Sequence, residues 1–359
     1  MFNNFYKKKK VLIIGNTGFK GSWLSIWLLK LGAKVYGFSK NIPTKPSLFL
    51  VTKLNKKYKT FYKDINNINE IYKVVNKIKP QIIFHLAAQP LVVESYKSPM
   101  ETFTTNSFGF NNVIEVIRNS KFVKTAILVT SDKVYENVEK KTGYKETDRL
   151  AGIDPYSASK SCAEIIYKSY FKSFLVKTNH KSAIGRAGNV IGGGDWAENR
   201  IVPDIVRFKY ENKKLLIKNP TSTRPWQHVL EPISGYLLLG EALNSNNKKI
   251  NGECFNFGPP SNQNKKVIEL INTFDQKLKF NKFKNNKIYE SKLLKLNCKK
   301  ASRVLNWRSV LNFKELLKFT SEWYKNYYVN NKNCYEFTVN QITQYESIAK
   351  KKNLKWTRF

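Results

Sequence analysis

The N-terminal region of this chain contains the stretch VLIIGNTGFKGSWL, which runs from Val11 to Leu24. Its four apolar residues up to Ile14 predict a buried strand, and the pattern from Ser22 to Leu31 predicts a helix that ends before a glycine. Between them stand glycines in the spacing G-x-x-G-x-x-G. Such glycines let the backbone turn tightly and approach a pyrophosphate, which binds the free N–H groups at the helix start.

The stretch therefore predicts a dinucleotide-binding loop, and a tight turn without a ligand is the alternative. The loop residues predicted to contact the cofactor are Gly15, Thr17, Gly18, Phe19 and Gly21.

Beyond this loop, short apolar runs alternate with helical patterns through the first 190 residues. Strands are predicted at 35–38, 60–64, 81–85 and 125–129, and helices at 68–78, 106–117 and 155–174. Strands that alternate with helices of this length are typical of an α/β fold with a doubly wound parallel sheet, the Rossmann type. After residue 190 the pattern becomes less periodic and predicts a smaller C-terminal α+β lobe.

The charge of the chain is its most unusual bulk property. Lys and Arg number 63 against 26 Asp and Glu, which gives a formal net charge of +37 over 359 residues. Nine of the 63 are Arg and 54 are Lys, dispersed through the whole chain. Nucleic-acid recognition favours Arg and a clustered basic surface. We therefore expect a bias in composition and no nucleic-acid partner.

Cysteine and hydropathy patterns limit the possible classes further. The four cysteines have no paired C-x-x-C spacing and only three histidines exist, so neither a metal centre nor a disulfide scaffold is expected. No apolar run approaches the roughly 18 residues of a membrane span. Lys7 to Lys10 precede an apolar run like the start of a signal peptide, but that run stops after four residues. We expect a soluble cytoplasmic protein without a membrane partner.

The acidic residue that commonly binds the ribose hydroxyls is missing after the second predicted strand. Ser39, Lys40 and Asn41 stand there instead, and Lys40 could meet a 2′-phosphate, so NADP stays open. Asp64, with Ile65, could serve the adenine edge or be a solvated strand-end carboxylate.

Tyr156 and Lys160 lie four residues apart on a predicted helix and so share one face. A nearby ammonium favours the phenolate, which allows the tyrosine to act as a general base. An exposed amphipathic pair is the alternative when this spacing stands alone. Ser131 follows a predicted strand of the same sheet and offers a hydroxyl to the oxygen that the tyrosine deprotonates.

Together the glycine loop, the hydroxyl and the Tyr/Lys pair resemble the extended short-chain dehydrogenase/reductase family. The resemblance narrows to nucleotide-sugar 4,6-dehydratases at five motifs, and within them to the subgroup that acts on CDP-glucose. These motifs are GFKGSWL at 18–24, HLAAQ at 85–89, TSDKVYEN at 130–137, RAGNVIGGGDW at 186–196 and RPWQHV at 224–229.

This resemblance implies a bound NAD that is reduced and reoxidised within one turnover, and a product that is a 4-keto-6-deoxy sugar. It implies that Tyr156 takes the 4-hydroxyl proton, that Asp132 protonates the departing 6-hydroxyl and that Lys133 removes the carbon 5 proton. An alternative is that Lys133 only positions the substrate. The remaining implied cofactor contacts are Leu86, Ala87, Ala88, Asn106, Tyr156 and Lys160, and the implied substrate contacts are Gln89, Asn189, Arg200 and Arg224.

The implied organisation has an NAD-binding domain at 1–190, to which 225–258 returns. A nucleotide-sugar-binding lobe covers 191–224 and 259–335, and 336–359 is predicted to be a loosely held polar tail. Homodimers are expected through the helices that carry Asn106 and Tyr156. Alternatives are a dehydratase or epimerase for dTDP- or UDP-sugars, and a non-catalytic NAD(P)-sensing binding protein.

Overall fold

The predicted N-terminal strand is an inner strand of a seven-stranded sheet in the computed structural model. The structure describes residues 1–211, 215–217, 220–245, 249–260, 263–274, 281–282 and 293–358. Its strands are β1 Lys10–Ile14, β2 Lys34–Ser39, β3 Thr60–Tyr62, β4 Ile82–His85, β5 Thr125–Val129, β6 Lys181–Ala187, β7 Val190–Ile191, β8 Leu216–Ile217, β9 Thr223–Pro225, β10 Gln227–His228, β11 Cys254–Phe257, β12 Asn264–Lys266 and β13 Asn281–Lys282.

The large sheet is parallel throughout, in the order β11-β6-β5-β4-β1-β2-β3. This order confirms the predicted doubly wound sheet. The helices are α1 Phe19–Lys30, α2 Leu48–Val51, α3 Ile68–Ile78, α4 Val92–Lys97, α5 Pro99–Phe103, α6 Gly109–Asn119, α7 Pro155–Ser173, α8 Ile201–Glu211, α9 Leu230–Ala242, α10 Val267–Phe274, α11 Phe313–Lys325 and α12 Cys334–Lys351. A π-helical turn, Thr104–Phe108, joins α5 to α6.

Helices cover both faces of this sheet because its central strands are apolar on both sides. Val11 and Ile13 of β1 belong to a core that includes side chains of α1, α9, α11 and α12. Leu12 and Ile14 belong to a second core with side chains of α3, α6 and α7. Successive residues of a strand point to opposite faces, so a run of four apolar residues requires cover on both.

The strand order reverses at β1, whose neighbours are β2 on one side and β4 on the other. Loops that follow neighbouring strands diverge at such a point and leave a crevice at the carboxyl edge of the sheet. A cavity of about 1620 Å³ opens there and is lined by residues that follow β1 to β6. This crevice holds the candidate site.

Short strand pairs, β7 with β10 and β9 with β12, build the region beside this crevice. Strand β11 lies at the end of the large sheet, next to β6. The predicted division into domains stays a prediction, and part of it falls on 212–214, 218–219, 246–248, 261–262, 275–280, 283–292 and 359, outside the described residues. None of the described helices has the length and apolar character needed to cross a membrane.

The C-terminal segment differs from the expected loosely held tail. Helix α12 packs against α1, where Trp27 Nε1 donates to Glu346 Oε1 at 2.8 Å. Further on, the Trp356 ring stacks on Phe2 with a centroid separation of 5.1 Å. The prediction was wrong because buried positions recur every three or four residues among polar ones, so the segment looks polar although one helical face is buried.

Candidate active site

The glycine loop after β1 is shaped by close backbone approaches. Gly15 has φ +95°, and a Cβ placed on it would lie 2.6 Å from the amide nitrogen of Ala87. A Cβ on Gly21 would lie 2.0 Å from the carbonyl oxygen of Gly15, so the first turn of α1 packs directly on the loop. Gly18 differs, because its nearest contact would be at 3.5 Å. Its free face, with Thr17 and Phe19, lines the cavity.

Hydrogen bonds to the end of β2 hold this loop in place. Thr17 Oγ1 donates to the carbonyl oxygen of Asn41 at 2.7 Å, and Ser39 Oγ donates to Asn16 Oδ1 at 2.8 Å. The Ser39 hydroxyl therefore stabilises the conformation of the glycine loop. The loop thus keeps the first backbone N–H groups of α1 directed at the crevice, where no helical partner can accept from them.

The far end of the crevice carries an ion pair that the sequence had not predicted. Lys40 Nζ lies 3.1 Å from Asp64 Oδ2, and both side chains line the cavity. The predicted strand 60–64 ends at Tyr62, which leaves the Asp64 carboxylate in the following loop. Ile65 is buried beside it, and Leu86, Ala87 and Ala88 form the neighbouring wall after β4.

The predicted catalytic residues all line this one cavity. Ser131, Asp132 and Lys133 follow β5, and Tyr156 and Lys160 project from the first two turns of α7. The N-terminus of α7 is fixed by Asp154, whose carboxylate accepts from the backbone N–H and the hydroxyl of the third helical residue. Two elements distant in sequence therefore place the hydroxyl, the carboxyl and the phenol side by side.

Burial changes the acidity of these groups. It raises the pKa of Tyr156 to about 12, although a hydrogen bond with Ser131 partly opposes the shift. Burial, assisted by the charge of Lys20, lowers the pKa of Lys160 to about 8. The pKa of Asp132 is raised by burial, against the opposing charge of Lys133. A carboxyl with a raised pKa suits a proton donor.

Beneath the site lies a buried network that sequence reasoning missed. Arg186 of β6 donates from Nε to Glu164 Oε1 at 2.8 Å, and Glu164 also accepts from Thr130 Oγ1 at 2.5 Å. The second guanidinium arm of Arg186 donates to the Tyr135 hydroxyl at 2.6 Å. These residues lie in or beside the motifs that carry the family resemblance. Their hydrogen bonds connect β5, β6 and α7, so their role in the structure is to support the site. Glu164 lies one helical turn after Lys160. This spacing places it on the same face of α7 as the catalytic candidates and could have indicated its position in the sequence analysis.

Among the predicted substrate contacts, Asn189, Arg200 and Arg224 line the cavity. Arg200 also pairs with Asp195, at 3.0 Å between NH1 and Oδ2. Gln89 lines the cavity too, but its amide donates to the Leu91 carbonyl and to the Thr102 hydroxyl, both at 3.0 Å. Its side chain therefore shapes the wall.

Asn106 is placed differently from the prediction. It is buried behind the cavity wall, where Oδ1 accepts from the backbone N–H of Gln89 at 2.8 Å. Its Nδ2 donates to the Gln89 carbonyl at 3.1 Å and to Ser159 Oγ at 3.0 Å. With both ends of its amide engaged in this way, Asn106 joins α7 to the loop after β4, which are the contacts of a positioning residue, and its predicted cofactor contact stays a prediction.

A comparison with protein families matches residues 12–320 to the family described as GDP-mannose 4,6 dehydratase. The chain belongs to this family. The result confirms the predicted resemblance to nucleotide-sugar dehydratases of the extended short-chain dehydrogenase/reductase type.

Within this family, the chain is 40% identical over 332 residues to the CDP-glucose 4,6-dehydratase of Salmonella typhimurium, with 90% of this chain and 92% of the relative covered. It is 27% identical over 394 residues to the dTDP-D-glucose 4,6-dehydratase of Dictyostelium discoideum, with 95% and 86% covered. The structure of dTDP-glucose 4,6-dehydratase from Bacillus anthracis in complex with NAD superposes with a TM-score of 0.73 at 22% identity, covering 92% of this chain and 99% of that one.

Proposed function

We propose that this protein is an NAD-dependent nucleotide-sugar 4,6-dehydratase that converts CDP-glucose to CDP-4-keto-6-deoxyglucose. The observation that carries this proposal is the Asp132-Lys133 pair, placed beside Ser131 and Tyr156 in one cavity. The 40% identity to a CDP-glucose 4,6-dehydratase over 90% of the chain supports the choice of nucleotide.

The residues of the crevice fit a dinucleotide. Gly18 has free space on its cavity side, and Gly15 and Gly21 allow no side chain at all, so at these glycines the backbone can approach the ligand closely. Lys40 is paired with Asp64, which neutralises the cation that a 2′-phosphate would need and favours NAD over NADP. A bound NAD would supply a hydride acceptor for sugar carbon 4 and a hydride donor for carbon 6.

Tyr156 takes the proton of the sugar 4-hydroxyl in the first half of the reaction. A phenol with a pKa of about 12 needs assistance at neutral pH. The Lys160 ammonium, four residues further along α7, supplies this because a positive charge stabilises the phenolate. Ser131 is hydrogen-bonded to Tyr156. Its hydroxyl is proposed to hold the 4-oxygen of the sugar, from which Tyr156 takes the proton.

Dehydration then uses the pair that follows Ser131. Once carbon 4 is a ketone, the carbon 5 proton is acidic, and the Lys133 side chain is proposed to remove it. Asp132 donates its proton to the carbon 6 hydroxyl, the carbon–oxygen bond breaks, and water leaves. Burial raises the pKa of Asp132, which keeps the proton available for this step. Asn189, Arg200 and Arg224 are proposed to bind the sugar and the diphosphate.

The protein is further proposed to be a cytoplasmic homodimer. Large apolar side chains are exposed on the helices expected at the dimer interface: Met100 is 78% exposed, Phe108 66% and Ile165 57%. Burial of such a surface against a second copy stabilises association. The four cysteines are free, which suits a reducing compartment. Sedimentation of wild type and of Phe108→Glu tests the dimer, which the variant should weaken.

The activity test incubates the protein and NAD with CDP-, dTDP-, UDP- and GDP-glucose in turn. CDP-glucose should yield a 4-keto-6-deoxy product, detected by its absorbance in alkali, and the other three should react more slowly. A product epimerised at carbon 4 without loss of water would overturn the proposal.

The acid–base assignment is tested separately with Lys133→Met in deuterated water. The variant should lose deuterium exchange at carbon 5 while still forming NADH from the nicotinamide. Exchange that persists at the wild-type rate would mean that Lys133 only positions the substrate.

A further inference from the structure

Lys20 has no role in the reaction described above, although its position is unusual. It is the second residue of α1, within the glycine loop, and its half-buried side chain lines the cavity. Within the described part of the chain, no carboxylate lies within 4.0 Å of its ammonium. A half-buried ammonium without an ion pair is partly desolvated, and an anion that binds beside it would compensate its charge.

The charges that face Lys20 come from three different elements. Asp132 follows β5, Lys160 lies on α7, and Arg200 immediately precedes α8; each interacts electrostatically with Lys20. Burial and the charge of Arg200 lower the pKa of Lys20 to about 8, against the opposite effect of Asp132. The carboxylate of Asp132 is also shared with Lys133. Asp195 is paired with Arg200 and Glu164 with Arg186, so cations still outnumber anions among the described groups that interact with Lys20.

We propose that the Lys20 ammonium binds a diphosphate oxygen of the nucleotide-sugar, together with Arg200. This inference rests on the proposed function and names a binding residue for the same site. The backbone of Lys20 belongs to the helix N-terminus that faces the dinucleotide, but its side chain shares the cavity with Asp132 and Arg200 and interacts electrostatically with both. It therefore lies on the side of the cavity where the sugar reacts.

A bound diphosphate would relieve the repulsion between Lys20 and Arg200, which approach the cavity from different sides. It would also neutralise the Lys20 charge, which Asp132 does not balance when it holds the proton that it donates during dehydration. The dinucleotide contains the same diphosphate chemistry, so the two ligands must be tested separately.

The test titrates CDP and NAD in turn into the purified full-length protein by calorimetry. Lys20→Met should weaken CDP binding on the order of 10- to 100-fold, the usual loss for a hydrogen bond to a charged group, and change NAD binding less than threefold. Lys20→Arg should restore most of the CDP affinity. The matched control is Lys56→Met, an exposed lysine outside the cavity, which should bind both ligands like the wild type.

A second readout separates ligand binding from a structural role. Near pH 8 the wild type should take up about half a proton more than Lys20→Arg when CDP binds. The Lys20 amine is about half protonated at this pH and gains the rest of its proton on binding the anion, whereas a guanidinium is always charged. Lys160 has a pKa in the same range. Because both proteins contain Lys160, its proton uptake should cancel in the comparison. The uptake is measured by comparing buffers of different ionisation enthalpy.

Unchanged CDP affinity in Lys20→Met, with a wild-type thermal midpoint, would overturn the inference. So would a loss confined to NAD, which would assign the side chain to the dinucleotide. Failure of the wild type to turn over CDP-glucose would instead reject the proposed function, and the same titrations with UDP and dTDP would then decide on Lys20.

Discussion

The ion pair between Arg186 and Glu164 allows a quantitative prediction about the support of the active site. Both side chains are only 2% exposed, and the guanidinium bonds both carboxylate oxygens. Replacing Arg186 with Met leaves the Glu164 carboxylate buried with the Thr130 hydroxyl as a remaining donor.

The expected cost follows from this burial. Removal of one partner from a buried pair destabilises a protein by about 3–5 kcal/mol, because the remaining charge is uncompensated. That is a large part of the total stability of a typical protein, about 5–15 kcal/mol. The double variant Glu164→Leu/Arg186→Met removes both charges and should recover most of the loss. The single variant should therefore lose much more free energy of unfolding than the double variant.

Urea unfolding followed by tryptophan fluorescence measures these differences. The matched control is Arg118→Met, which removes a pair of similar geometry to Glu115 on the solvent side of α6, where Arg118 is 34% exposed. An exposed pair contributes about 0–1 kcal/mol, so this variant should unfold close to the wild type. The reasoning would be refuted if Arg186→Met lost less than about 1 kcal/mol, or if the double variant were no more stable than the single one.

Three further predictions concern the site and its surroundings. Tyr156→Phe should lower turnover about 10²- to 10⁴-fold in a product assay and leave the thermal midpoint close to that of the wild type, since the variant keeps the buried ring and loses only the hydroxyl with its hydrogen bond to Ser131; a smaller effect on turnover would reject its role. Asn106→Ala should raise the KM and cost about 1–3 kcal/mol in urea unfolding, because it frees buried backbone groups of Gln89, and wild-type values for both would contradict the positioning role. Burial raises the pKa of Glu231 to about 7, so the native state binds the extra proton and the free energy of unfolding should fall by about 3 kcal/mol between pH 4.5 and 7. Glu231→Gln should flatten that part of the stability profile, and an unchanged slope would exclude this carboxyl as its source.

Local sequence patterns were sufficient for the central fold and much of the candidate site. The strand β1, the glycine loop and α1 follow one another within about twenty residues, and so do Tyr156 and Lys160 within one helical turn. Such features depend on contacts between near neighbours, so their spacing can be read directly. The C-terminal helix was missed because its buried face is interrupted by polar residues, such as Glu346, whose partners lie on α1.

What the sequence indicated by itself is therefore the sheet, the dinucleotide loop and a set of candidate catalytic side chains that share one cavity. Only the tertiary structure decided which charges meet. Lys20, Asp132 and Arg200 are more than sixty residues apart from one another and face one cavity because three elements converge at the carboxyl edge of the sheet. Burial there also sets the acidity of each group, and burial depends on packing between distant segments, which residue spacing does not encode.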